Sequence, residues 1–285
     1  MRRFEIRAGR GGGLFFAVVL SFFALAGASE SPPVEESWQK NSHQWFEQID
    51  PGGRLRVINP YGNIYARFGG YENEVEILAT IQRINTEIPE LEVARVRTEG
   101  GLDVTVLPAA TEAGSEPSAG VERLDRTDLV IFVPKDVTLE ARTEDGRIEV
   151  KGIKGDLEAV SVKGDLWIRG VDGYVRARTD RGQVTATLET GVTTELQRIS
   201  TVTGEIEVHL WEDADMKVSV ATSGVISTDF SMKISHRRFE EPGKIAVATV
   251  GKGGPGLDLS SKRGPILLLR LPRHFKTDET EPSTN

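Results

Sequence analysis

Between residues 146 and 188 apolar and polar positions alternate in bursts of about five residues, and each burst opens on a glycine. Gly146 leads into Arg-Ile-Glu-Val, Gly155 into Asp-Leu-Glu-Ala, Gly164 into Asp-Leu-Trp-Ile, Gly173 into Tyr-Val-Arg-Ala and Gly182 into Gln-Val-Thr-Ala. The second and fourth residues after each glycine are apolar: Ile148/Val150, Leu157/Ala159, Leu166/Ile168, Val175/Ala177 and Val184/Ala186. A period of two predicts strands buried on one face. Glycine supplies the bends between them. The glycines recur every nine residues, from Gly146 through Gly155, Gly164, Gly173 and Gly182 to Gly191.

Alternate bends differ. Three residues before Gly146, Gly164 and Gly182 stand Thr143, Ser161 and Thr179, whereas Gly152 and Gly170 precede Gly155 and Gly173. The full repeat is therefore eighteen residues, two strands and two unlike bends. A short fixed period means one unit repeated and stacked. It predicts an all-β, single-domain β-solenoid of 18–22 residues per coil, with coils about 4.8 Å apart. The register continues at Gly204, Gly224, Gly243 and Gly264 with longer loops, and Gly62 opens an early coil. Thr201, Ala221 and Ser261 keep the small residue three back; Glu240 breaks the pattern.

The rest of the chain divides around this body. Residues 1–28 carry Arg2, Arg3, Arg7 and Arg10, then an apolar or small run from Leu14 to Gly27, then Ala26-Gly27-Ala28. That order reads as a signal peptide, with an uncleaved N-terminal anchor as the alternative. The apolar run is short of the about 20 residues that span a bilayer, so no integral span is expected once the signal is removed. Residues 29–50 form a polar leader whose Trp38, Trp45 and Phe46 are expected to cap the first coil. The solenoid is expected over 51–273: a less regular entry part (51–135) with a mobile loop at 108–126, then regular coils over 136–273. The entry part contains predicted strands at 54–58, 64–68 and 75–82, a hairpin of 91–97 with 102–107, and an apolar strand from Leu129 to Val133. The tail, 274–285, is expected to be disordered.

Composition narrows the function classes. The chain has 285 residues, 30 glycines, no cysteine and a net charge of −8. Loss of residues 1–28, with four arginines and one glutamate, leaves it more acidic still. An acidic exported chain points away from nucleic acid as a partner. Without cysteine there is no disulfide framework, lipidated cysteine or thiolate nucleophile.

Three segments together resemble the bacterial "putative adhesin" domain family of Gly-rich repetitive β-proteins. These are Gly53-Arg-Leu-Arg-Val-Ile-Asn-Pro-Tyr-Gly-Asn-Ile, the block Leu129-Val-Ile-Phe-Val-Pro134 followed by Leu139 to Val150, and the glycines up to Gly204. The resemblance spans roughly residues 48 to 270. It implies a fold and a role in surface attachment; it carries over no catalytic residue.

Motifs with chemistry are few. Gly251-Lys-Gly-Gly-Pro-Gly256 matches G-x-G-x-x-G, but the following Leu257-Asp-Leu-Ser reads as a strand where a dinucleotide site needs a helix. Asp156 and Asp165 read as turn residues, and Glu212-Asp213-Ala214-Asp215 reads as a solvated loop. His43, His209, His236 and His274 show no metal-ligand spacing. No catalytic, metal or cofactor residue is expected. On the outward faces, stacking by eighteen residues brings Glu149 beside Trp167 and Lys151 beside Arg169. An exposed indole among polar groups suits the face of a sugar ring, so these four residues form the candidate binding face. The expectation is an exported, non-enzymatic module that is periplasmic, cell-surface or extracellular, and that binds a polysaccharide or an envelope protein. A polysaccharide lyase or hydrolase on the same scaffold and a self-assembling envelope scaffold are the alternatives. For self-assembly, the last coil is expected to expose strand edges guarded by Pro265 and Pro272.

Overall fold

The computed structural model describes residues 39–83, 91–108, 125–189 and 193–272. The signal segment, Trp38, most of the 108–126 loop, Gly191, His274 and the tail lie outside the described residues. The chain opens with β1 (Gln39–Gln48), β2 (Arg54–Ile58), β3 (Ile64–Phe68), β4 (Glu74–Arg83), β5 (Leu91–Thr98), β6 (Gly101–Pro108) and β7 (Arg126–Val133). The glycine-spaced stretch gives β8 (Thr138–Asp145), β9 (Ile148–Lys151), β10 (Leu157–Lys163), β11 (Leu166–Arg169), β12 (Val175–Arg181) and β13 (Val184–Leu188). It is followed by β14 (Gln197–Thr201), β15 (Ile206–Trp211), β16 (Met216–Thr222), β17 (Ile226–Thr228), β18 (Lys233–His236), β19 (Lys244–Val250), β20 (Gly256–Ser261) and β21 (Ile266–Leu271). No helix among the described residues is long and apolar enough to cross a membrane.

The fold is all-β, in two mixed sheets. The first is ten-stranded, in the order β1-β4-β7-β3-β9-β11-β13-β15-β21-β17; the second is eleven-stranded, in the order β18-β19-β16-β20-β14-β12-β10-β8-β2-β6-β5. From β8 to β15 the chain steps from one sheet to the other with every strand. Neighbours are parallel, so Leu139, Leu157 and Val175 line up in one sheet and Ile148, Leu166, Val184 and Ile206 in the other. The inward residues of both sheets join in one apolar core. Burial of alternate positions drives this arrangement, and a strand of either sheet alone would leave its apolar face wet.

Seven crossings from the second sheet to the first, all but that from β6 to β7, turn on a glycine, and these glycines stack. In spatial order the column is Gly62, Gly146, Gly164, Gly182, Gly204, Gly264 and Gly224. A Cβ on Gly164 would stand 1.9 Å from the carbonyl oxygen of Gly146, and one on Gly204 1.7 Å from that of Gly182. No side chain fits at such a distance. Beside the column runs a line of buried hydroxyls, each donating to the glycine carbonyl of the preceding turn. The bonds are Thr143 to Gly62 (3.3 Å), Ser161 to Gly146 (3.2 Å), Thr179 to Gly164 (2.9 Å), Thr201 to Gly182 (3.2 Å), Ser261 to Gly204 (3.0 Å) and Thr222 to Gly264 (2.7 Å). Carboxylate and amide oxygens accept in turn from backbone N–H groups. Asn63 Oδ1 accepts from Arg147, Asp165 Oδ1 from Gln183 and Asp156 Oδ1 from Tyr174. The glycine carbonyls and these backbone N–H groups at the bends are thus paired.

Several expectations need correction. A single solenoid over 51–273, with regular coils over 136–273, does not describe the fold, because antiparallel strands build the ends of the sheets. β4 runs against β7 and β1, β5 against β6, and β19 against β16 and β18. The last two strands do not form a terminal coil: β20 lies between β14 and β16, and β21 between β15 and β17. Pro265 and Pro272 therefore flank an interior strand and guard no edge; the Pro265 carbonyl accepts from Ile206 inside the sheet. The edges are β1 and β17 in the first sheet and β5 and β18 in the second. Near Gly224 the hydroxyl comes from Thr222, two residues back, and not from the Ala221 position. Gly243 stands outside the column, with no atom nearer than 3.7 Å to a Cβ placed there, because it leads into the antiparallel β19. The polar leader contributes β1, in which Trp45 packs against the core and Phe46, its neighbour, faces solvent.

Candidate functional site

The outer face of the first sheet carries the residues singled out by the sequence. β9 and β11 are paired with Glu149 opposite Trp167 and Lys151 opposite Arg169. Lateral pairing extends the first row to Tyr65, Glu149, Trp167, Thr185 and Glu207, and the second to Arg67, Lys151, Arg169, Thr187 and His209. Leu166 and Ile168 point inward, so the pleat sends Trp167 outward. Its side chain is 46% exposed, in the middle of a sheet face. The Arg147 guanidinium lies over the indole at 5.2 Å from its centre and steadies one side of the ring.

Glu149 is held by Arg67 at 2.6 Å, and Glu207 by His209 at 2.6 Å. Lys151 and Arg169 stand side by side and make no ion pair among the described residues. The result is an aromatic plate bordered by one neutralised carboxylate, one threonine and two cations. Such a surface can stack on a ring and donate hydrogen bonds around it.

The outer face of the second sheet holds a shallow depression of about 510 Å³ over β8, β10, β12 and β14. Arg142, Arg176, Arg178 and Arg198 surround it, with Glu158 and Asp180 among them. Sequence reasoning missed this cluster. The signal was present: Arg176-Ala-Arg178 is an outward pair on one strand, and Arg198 follows on the next. At the β1/β5 end Trp45 closes the core, with the Arg95 guanidinium over its ring at 4.4 Å and His43 stacked at 5.5 Å.

Other motifs resolve as structure. Gly251–Gly256 is a turn leading straight into β20, and Asp215 Oδ1 accepts the Lys252 N–H at 2.7 Å. Among the described residues no group of three His, Asp or Glu side chains is placed to hold a metal ion. Next to the depression, Glu140 raises the Arg54 pKa above its ordinary value, through a hydrogen bond first and its charge second.

No protein-family model matches the chain, and no curated protein does. Solved structures do. A "putative cell adhesion protein" from Clostridium sporogenes is similar over 81% of this chain and 100% of its own, at 12% identity and a TM-score of 0.47. A "putative adhesin" from Bacteroides fragilis is similar over 81% of this chain and 97% of its own, at 10% identity and a TM-score of 0.31. One from Parabacteroides merdae is similar over 81% and 96%, at 12% identity and a TM-score of 0.26.

Proposed function

We propose that the protein is an exported, non-enzymatic binding module of the bacterial cell envelope, adhesin-like in role, that engages a carbohydrate through the Trp167 face. One observation carries this reading: a tryptophan left half in water at the centre of a sheet, with polar neighbours on every side. Burial of an indole is favourable, and an exposed one between polar groups fits a ring that arrives from solution. Export rests on the basic start, apolar run and small residues of 1–28. The parallel eighteen-residue register from β8 to β13 supports reading that stretch as solenoid coils built into the two sheets.

Catalysis on polysaccharide fits less well. Glu149 and Glu207 are separated by three strand steps, about 14 Å at roughly 4.8 Å per step. Paired glycosidase carboxylates stand about 5–9.5 Å apart. Both are also tied to a partner.

A glycan array tests the reading directly. Wild-type protein is expected to bind a subset of glycans without shortening them, and Trp167→Ala to lose that binding. Undiminished retention of uncharged glycans by the alanine variant removes the Trp167 face, and chain cleavage removes the non-enzymatic role.

Self-assembly is a second reading, favoured by β18. All four of its residues are exposed, it forms the edge of the second sheet, and Val247 on the adjoining strand is 55% exposed. Free strand edges template pairing with another chain. Sedimentation of the wild type and of Ile234→Lys distinguishes an assembling edge from an inert one.

A further inference from the structure

We infer that the arginine-lined depression on the second sheet is a binding site for a linear acidic polysaccharide bearing uronate carboxylates. This deepens the binding-module reading by naming a ligand class, and it stands on the opposite sheet from Trp167, so each can fail alone.

The argument starts from charge. The chain as a whole is at −8, yet this depression gathers four guanidinium groups around two carboxylates. Strand pairing sets Arg176 directly opposite Arg198. Glu158 flanks Arg176 on its other side and Asp258 flanks Arg198, but the Arg176–Arg198 contact itself sets like charges side by side, which opposes sheet formation. The carboxylates present are mostly spoken for. Glu158 accepts from Arg142 at 3.1 Å, and Asp180 from Arg178 at 3.0 Å. Arg198 reaches Asp258 only at 3.8 Å. Arg176 makes no ion pair among the described residues, and its guanidinium rests over the Tyr174 ring at 5.1 Å. Arg176, with no ion pair, and Arg198, held to Asp258 only by a long contact, stand side by side where a planar anion can reach both, and the guanidinium fork matches a carboxylate at two points.

Shape selects the polymer. The four arginines sit on β8, β12 and β14 with β10 between, three strand steps or about 14 Å end to end. That is longer than one sugar and suits a short run of them. Between the arginines lie Val160 and Val162, the latter 40% exposed. A uronate ring presents a C–H face and a carboxylate together, so the valines meet the ring while the forks take the charge. The volume falls within the range of ligand sites, about 300–1,000 Å³.

The test uses purified protein with polygalacturonate and alginate as probes. Dextran is the neutral control, and phosphatidylglycerol vesicles and single-stranded DNA are the other polyanions. Both uronate polymers are expected to bind, dextran not to, and added NaCl to weaken binding. Arg176→Ala with Arg198→Ala is expected to weaken binding about tenfold or more. Arg263→Ala, a distant exposed arginine, is expected to change it less than about twofold. Arg176→Lys with Arg198→Lys keeps the charge and loses the fork; binding weakened about as much as in the alanine pair supports the assignment even if the alanine pair folds poorly. No binding to either uronate polymer, equal loss in Arg263→Ala, full binding by the lysine pair, or preference for the vesicles or DNA each overturns it. Cleavage of a bound polymer would sink the non-enzymatic reading and leave the site standing.

Discussion

The Thr179 hydroxyl donates to the carbonyl oxygen of Gly164, fifteen residues earlier, at 2.9 Å. The bond links one turn to the one before it and recurs down the glycine column with threonine or serine as donor. It explains why the repeat needs a small hydroxyl residue at alternate bends: the site is buried, and the carbonyl needs a donor that a backbone stacked this tightly does not supply.

Thr179→Val keeps the shape and removes the donor. Leaving a buried carbonyl unpaired costs about 1–3 kcal/mol. Urea unfolding is expected to show that loss; a change under about 0.5 kcal/mol would mean the carbonyl is satisfied otherwise.

Glycines in and out of the column respond differently. Gly164→Ala places a methyl 1.9 Å from a carbonyl oxygen at a φ of +143° and is expected to cost more than about 4 kcal/mol. Gly243→Ala meets nothing nearer than 3.7 Å, and is expected to stay within about 0.5 kcal/mol of wild type. Similar melting temperatures for the two variants would refute the stacking.

Adjacent residues on opposite sides of one strand give a third contrast. Leu166 is fully buried, and Leu166→Asp puts a charge into the core, which is expected to leave little folded protein by circular dichroism. Trp167→Ala is expected to cost about 1 kcal/mol or less, because the side chain lies on the outer, exposed face of the strand. Equal damage from both would mean that Trp167 is structural.

Hydrogen exchange reads the edges. Amides of β18 are expected to exchange first, since that strand is exposed throughout and paired on one side only. Those of β12 and β20, interior strands with buried alternate residues, are expected to exchange last. Slow exchange in β18 would point to a partner already covering it.

Much of this was legible in the residues. The period of nine placed Gly146, Gly164 and Gly182 at equivalent bends, and adding eighteen to Glu149 gave its neighbour Trp167. What stayed hidden was which strand pairs with which once the spacing loosened. Alternation reports that β16, β19, β20 and β21 each bury one face, but says nothing of direction or order. An antiparallel β19 reads like a parallel rung, so Gly243 looked like Gly204. The arginine depression escaped for a related reason. Arg142 and Arg178 flank Val160 only because three strands align, a relation between residues that each look like ordinary outward positions.

The place of β20 and β21 has a consequence for how the molecule comes into being. Both sheets lay down a strand beyond an empty berth, β16 and β17, and fill that berth only with the closing stretch of chain. A polypeptide emerging from its N-terminus holds two unfinished seams until those last residues arrive, and such long-range closure is slow. The final two strands act as a keystone, and the half-built arch before them keeps its apolar seams open until they arrive.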